Sequence, residues 1–254
     1  MGPNLLVLGG TTEATALAQR LAETGVQAVF SYAGRVARPK AQPLPTRTGG
    51  FGGAEGLASY IRDHQITHVV DATHPFAAQM SVNAITACHV TGTPLVALTR
   101  PPWQAQAGDH WHHVGSVAEA VEWLDQPSRR VMLAIGRMHL EAFRPQGQHF
   151  YLLRVVDPPE VPIDLPDHAV VVGVGPFTRD DDAALMRQHG IDLIVSKNAG
   201  GSAARAKIDA ARDLGLEVLM IDRPALPDRG ELHEIDAVLR WCHAETVSGT
   251  ERGV

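Results

Sequence analysis

At 254 residues, 44% of them hydrophobic and 20% charged, the chain has the makeup of an ordinary globular protein with room for one large domain or two smaller ones. A net charge of -6 argues against wholesale nucleic-acid binding, while local basic patches can still hold a small anion. No run approaches the roughly 18 apolar residues of a membrane span, Met1-Gly2-Pro3-Asn4 leads directly into a strand rather than a secretory leader, and the two cysteines, Cys88 and Cys242, suit reduced thiols. A soluble, cytoplasmic protein without membrane or nucleic-acid partners is expected, as a monomer or small homo-oligomer.

Leu5 to Leu8 reads as a short buried strand that stops at Gly9-Gly10-Thr11-Thr12, and Ala14, Leu17, Ala18 and Leu21 then recur at helical spacing. Gln27 to Tyr32 is a second strand opening into Ala33-Gly34-Arg35. The Pro- and Gly-rich stretch Arg38 to Gly53 leaves space for a brief strand around Thr46 to Thr48. A helix over Leu57, Tyr60 and Ile61, a strand Thr67 to Asp71, a helix Phe76 to His89 and a strand Pro94 to Thr99 complete a βα series. Such a series implies a mostly parallel sheet covered on both faces.

Trp103 to His113 reads as an irregular crossing segment and Val117 to Leu124 as a short helix. A second series follows: strands Arg130 to Ile135 and Phe150 to Val156, a proline-rich irregular stretch Asp157 to Asp167, and a strand Val170 to Val174. Then come a helix Asp180 to His189, a strand Asp192 to Ser196, a helix Ser202 to Leu214, a strand Glu217 to Ile221 and a closing helix His233 to His243. The two series echo each other. VLGGTT returns as AIGRMH, VVDATHP as IVSKNAGG, and ALTRP as MIDRP, with Val7 to Ala134, Val69 to Ile194 and Pro101 to Pro224 giving offsets of 127, 125 and 123. The reading is α/β, two Rossmann-like domains with mostly parallel sheets: residues 1–127, residues 128–245, and a flexible tail 246–254. Ligands of such folds gather at the carboxyl ends of the strands, which places the active site in an interdomain cleft.

Four constellations stand at those ends. Gly9-Gly10-Thr11-Thr12 occupies the position where a Rossmann turn and helix N-terminus bind pyrophosphate, although it is not GxGxxG and also suits a simple capped turn. Ser31 and Arg35 follow the second strand, where an acidic residue would accept the ribose of NAD and an Arg suits the extra phosphate of NADP. Asp71-Ala72-Thr73-His74-Pro75 offers an imidazole that could donate a proton, oriented by Asp71, or else a helix cap. Ser196-Lys197-Asn198-Ala199-Gly200-Gly201, with Arg205 and Lys207 beyond it, combines glycines and cations suited to an anion. Arg100, Arg137, Arg154 and Arg223 also fall at strand ends and, with Lys197, would line an electropositive wall for a multiply charged ligand. No metal spacing is present, His110-Trp111-His112-His113 included, and there is no GxSxG nucleophile elbow.

These residues resemble a known family. VLGGTTEATALA (Val7 to Ala18), the SYAGR run, GGFGGAEGL (Gly49 to Leu57), DATHPFA, IGRMHLEAF (Ile135 to Phe143), VVGVGPF (Val171 to Phe177) and SKNAGG are similar to the precorrin-6A reductase family, in the same order, over about residues 4 to 224. A cobalt-precorrin-6A reductase is the neighbouring alternative. One departure is visible: Ala199 stands where a Ser is expected after Asn198. The resemblance implies NADPH as cofactor, an anionic tetrapyrrole as small-molecule substrate, hydride transfer to a ring double bond, and a proton added at its neighbour. On that basis Gly9, Gly10, Thr11, Thr12, Ser31, Arg35, Asp71 and Thr73 are assigned to coenzyme. Arg100, Arg137, Arg154, Ser196, Asn198, Gly200, Gly201, Arg205 and Arg223 are assigned to the macrocycle, and His74 and Lys197 to proton transfer.

Two readings from other classes stand beside it. A non-catalytic carrier would bind the macrocycle or a nucleotide without oxidising a coenzyme. A methyltransferase is disfavoured by Arg35, since an acidic ribose partner is expected at that strand end. The coenzyme half is itself open, because SKNAGG with Arg205 and Lys207 is a second phosphate-site candidate.

Overall fold

The computed structural model describes residues 2–34, 40–155, 158–159, 161–173, 175–202 and 204–248. The first hundred residues run β1 (Asn4–Leu8), α1 (Thr12–Thr24), β2 (Gln27–Tyr32), β3 (Thr46–Thr48), α2 (Gly53–Asp63), β4 (His68–Asp71), α3 (Ala78–Thr91) and β5 (Leu95–Leu98). The middle stretch runs β6 (His110–Val114), α4 (Val117–Trp123), β7 (Arg130–Ala134), two single 3-10 turns (Arg137–His139 and Glu141–Phe143), β8 (Phe150–Val155) and β9 (His168–Val172). It continues with α5 (Arg179–Gln188), β10 (Leu193–Lys197), α6 (Ala206–Leu214) and β11 (Glu217–Ile221), and the last segment adds β12 (Gly230–Leu232) and α7 (Ile235–Ser248).

Two compact units result, one of residues Met1–Arg100 with Ala225–Val254, the other of Pro101–Pro224. In the first, an all-parallel sheet has the order β12-β5-β4-β1-β2-β3. Successive side chains of β1 enter opposite layers: Leu5 and Val7 pack with Leu17 and Leu21 of α1 and Val238 of α7, while Leu6 and Leu8 pack with Leu57 and Ile61 of α2 and Ala84 of α3. Burial on both faces is what makes the strand read as an unbroken apolar run. Full burial of Leu17 and Leu21 contributes about 2 kcal/mol each. Thr11 caps α1 by accepting the N–H of Ala14, and Gly25 closes it in the left-handed conformation.

The second unit repeats the plan, its parallel sheet ordered β9-β8-β7-β10-β11-β6. Met132, Leu152, Ile194 and Met220 alternate toward a layer built from Ala183 and Met186 of α5 and Ile208 and Ala211 of α6. Both sheets carry the Rossmann strand order, and in each the sixth strand comes from a segment adjoining a crossing between units.

That last point corrects a boundary near Pro127. The segment expected to be irregular contains β6, which adds to β11 with Glu217 opposite His110, so the second unit begins at Pro101. The closing helix returns to the first unit, where Val238 and Cys242 are fully buried, and β12 extends the sheet beyond β5. Two helices begin later than their periodicity suggests, α3 at Ala78 and α6 at Ala206. Of the expected tail, residues 246–248 lie within α7 and 249–254 fall outside the described residues.

Candidate functional site

In the first unit the carboxyl end of β1 turns through two glycines that are needed for different reasons. A Cβ on Gly9 would lie 2.1 Å from the Phe30 ring, so Gly9 lets β1 close onto β2, where its N–H donates to the Ser31 carbonyl at 2.9 Å. Gly10 adopts φ +131, and nothing lies within 4 Å of where its Cβ would be. The Thr11 hydroxyl accepts the Ala14 N–H at 3.1 Å and donates to the Ala72 carbonyl at 2.9 Å, so it is spent on the cap. Thr12 is exposed and donates to Glu13, whose carboxylate lies 3.6 Å from Arg100 Nε. A hollow of about 480 Å3 beside Thr12 and Glu13 is also lined by Leu98 and His233. Arg100, assigned from sequence to the macrocycle, therefore neutralises the one acidic residue in the first turn of α1.

At the end of β2, Ser31 is buried and accepts Arg47 Nη1 at 2.7 Å. The same guanidinium donates to the carbonyls of Gly49 and Gly50 and stacks 3.7 Å above Phe51. Arg35 lies outside the described residues.

The DATHPFA segment is organised around Asp71. One carboxylate oxygen accepts the Thr73 N–H at 3.1 Å and hydroxyl at 2.7 Å; the other accepts Ser81 Oγ at 2.6 Å and pairs with Arg229. Asp71, expected from the sequence to orient His74, directs these contacts to Thr73, Ser81 and Arg229. His74 Nδ1 instead accepts the Phe76 N–H at 3.2 Å, which leaves the ring proton of a neutral imidazole on Nε2. Pro75 lies within a turn closed by the Ala77 N–H to the His74 carbonyl, ahead of the first turn of α3.

In the second unit the SKNAGG segment is packed from within. Asn198 is buried, its Oδ1 accepting the Trp103 N–H at 2.7 Å and its Nδ2 donating to the Trp103 carbonyl at 3.0 Å. Trp103 Nε1 donates to the Gly201 carbonyl, and Arg223 donates to the carbonyls of Asn198 and Ala199. A Cβ on Gly200 would meet the Pro101 carbonyl oxygen at 2.2 Å, so this glycine admits the chain's own backbone. Lys207 is buried, donates to the Ala204 carbonyl at 2.6 Å and sits 5.2 Å from the Trp103 ring centroid; burial pushes its ammonium down to about 8. Arg205 pairs with Asp209, and Arg154 pairs with the buried Asp182 while stacking on Phe177. Asn198, Gly200, Gly201, Arg154, Arg205 and Arg223, expected from the sequence to contact the macrocycle, thus each make contacts within this unit. Ser196 is fully buried, its hydroxyl turned to the Lys197 carbonyl at 3.4 Å.

Two second-unit cations differ. Lys197, at the end of β10, is half-buried, and burial lowers its pKa. Arg137 is exposed on the 3-10 turn after β7 and has no ion pair among the described residues.

The sequence matches the family model described as precorrin-6x reductase CbiJ/CobK over residues 4–243. It is 56% identical over 247 residues to the precorrin-6A reductase of Rhodobacter capsulatus, covering 96% of this chain and 98% of that one. The chain belongs to this family.

Within the family it is also 30% identical over 234 residues to the cobalt-precorrin-6A reductase of Priestia megaterium, covering 87% of this chain and 91% of that one. A solved structure of CobK precorrin-6A reductase matches with a TM-score of 0.89 at 55% identity, over 95% of this chain and 96% of that chain. A precorrin-6x reductase is an oxidoreductase of cobalamin biosynthesis that reduces a ring C=C bond of a tetrapyrrole and needs a reduced nicotinamide coenzyme. Among the described residues no helix is long and apolar enough to cross a membrane. Sequence reasoning missed Arg47 and Arg229. The Gly-rich run after Arg47 was a signal for the first; nothing local marks Arg229, which lies 158 residues from Asp71.

Proposed function

We propose that this reductase acts on metal-free precorrin-6A with NADPH, giving precorrin-6B, and that the coenzyme binds the first unit at the Gly9-Gly10-Thr11-Thr12 turn. The observation that carries the coenzyme assignment is the contrast between two glycines. Space is open at Gly10, whereas the corresponding space at Gly200 is filled by the Pro101 carbonyl. A dinucleotide fits the first turn, since the leading N–H groups of a 13-residue helix have no intrahelical partners and attract a diphosphate. Arg100 offsets the charge of Glu13 beside it. The alternative phosphate site is less favoured by the two cations beyond its loop, since Lys207 is buried beside Trp103 and Arg205 is paired. The preference for a metal-free substrate is supported by 56% identity to a precorrin-6A reductase against 30% to a cobalt-precorrin-6A reductase.

When bound, NADPH supplies the hydride. The chain supplies charge, orientation and a proton. Arg137, exposed and unpaired among the described residues, meets a macrocycle carboxylate. Two groups suit the proton: His74, with its proton on Nε2, and Lys197, whose lowered pKa makes it a stronger acid than an ordinary ammonium. His74→Asn and Lys197→Met distinguish them. The substitution that removes the acid should lower kcat with little change in the coenzyme KM, and full kcat in both variants would remove both from the mechanism.

A further inference from the structure

We propose that Arg47 recognises the 2′-phosphate of NADPH and sets the preference over NADH, an assignment resting on the coenzyme reading above. In a sheet of this strand order the ribose 2′ position lies beyond the end of β2, where NAD enzymes place a carboxylate and NADP enzymes an Arg. The end of β2 and the residues after it, Ser31-Tyr32-Ala33-Gly34, contain no carboxylate. What reaches Ser31 is Arg47, from the neighbouring β3.

Its donors can be counted. A guanidinium has five N–H groups. Nη1 spends two, on Ser31 Oγ at 2.7 Å and the Gly49 carbonyl at 3.0 Å, and Nη2 spends one, on the Gly50 carbonyl at 3.0 Å. Nε–H and the second Nη2–H remain without a hydrogen bond among the described residues. In a planar guanidinium Nε–H and the Nη2–H beside it share one edge, the fork that grips a phosphate or carboxylate in two parallel bonds. The plane of that fork is held by stacking on Phe51 at 3.7 Å. Arg47 also has no carboxylate partner among the described residues, unlike Arg100, Arg129, Arg154, Arg205, Arg212 and Arg229. An oriented, uncompensated cation beside Ser31 suits a dianionic group. The backbones of Gly34 and Gly49 approach closely here, a Cβ on Gly34 falling 3.3 Å from Gly49 Cα, so no side chain separates the two loops.

Arg47 also ties down the Gly49–Gly50 loop, so the test must separate recognition from support. Full-length wild type, Arg47→Gln and Arg47→Lys are compared for the KM of NADPH and of NADH in precorrin-6A reduction, and for binding of 2′,5′-ADP and 5′-AMP. In Arg47→Gln, NADPH and 2′,5′-ADP should weaken by about tenfold or more, while NADH and 5′-AMP stay within about twofold. Arg47→Lys, a point charge without the fork, should recover part of the loss. Equal weakening of both members of each pair would reduce Arg47 to a loop support, and no weakening would remove it from the site; either result overturns the proposal. Failure of the wild type to reduce precorrin-6A would sink the function while leaving the nucleotide pair to judge Arg47.

Discussion

At Gly9 an added methyl group would lie 2.1 Å from Phe30 Cζ, inside a layer where Phe30 is fully buried, so the chain cannot yield without moving the ring. Gly9→Ala should cost about 1 to 3 kcal/mol in denaturant unfolding, and adding Phe30→Leu should return part of it; equal stability of Gly9→Ala and wild type would show that the turn is looser than described. Lys207 makes a prediction in pH. Burial lowers its pKa from 10.5 to about 8, so between those values the unfolded chain holds a proton that the folded chain has released. Stability therefore rises with pH across that window, and below it the fold carries the cost of a buried charge, up to about 3 kcal/mol. Lys207→Met should be the more stable protein at pH 7, and the difference should shrink as pH rises from 8 to 10. A constant difference would place the ammonium in a more polar setting.

The strand-end residues were legible as a set but their partners were not. Arg154 pairs with Asp182, Arg223 donates to the carbonyls of Asn198 and Ala199, and Arg100 lies 3.6 Å from Glu13. Each partner is remote in sequence, and counting cations at strand ends does not count the groups that occupy them.

At the scale of elements, apolar runs announced β1, β4, β5, β7, β10 and β11 because parallel strands buried on both faces have little polar alternation. β6 hides in His110-Trp111-His112-His113-Val114, an edge strand whose histidines are exposed, two of them paired with Glu217 and Asp222. β12 has three residues, too few for a period. Its importance lies in Arg229 just before it, which brings a buried positive charge to Asp71. Arg229→Met leaves that carboxylate buried without its cation and should destabilise the first unit by about 3 to 5 kcal/mol. Combining it with Asp71→Asn removes the stranded charge and should recover a good part, read from the denaturation midpoints of the single and double variants. If the losses simply add, the ion pair is not what holds the segment.

At the scale of the whole chain, the doubled order of motifs was enough to read two α/β units, since the strand order repeats where the motifs do. Which sheet each linking strand joins is settled by long-range pairing that no local pattern carries, and so the division falls at Arg100 and Pro224 rather than near Pro127. A fragment of residues 101–224 contains β6 and Trp103 and should unfold cooperatively; a fragment of 128–245 lacks both, adds α7 without its core, and should not. The reverse result would restore the simpler boundary. The central claim is catalytic: incubated anaerobically with NADPH, the full-length protein should convert metal-free precorrin-6A to a product richer by one hydride and one proton, consuming one coenzyme per macrocycle and turning over cobalt-loaded substrate more slowly. Binding of the macrocycle without loss of NADPH, or faster reduction of the cobalt form, would contradict it.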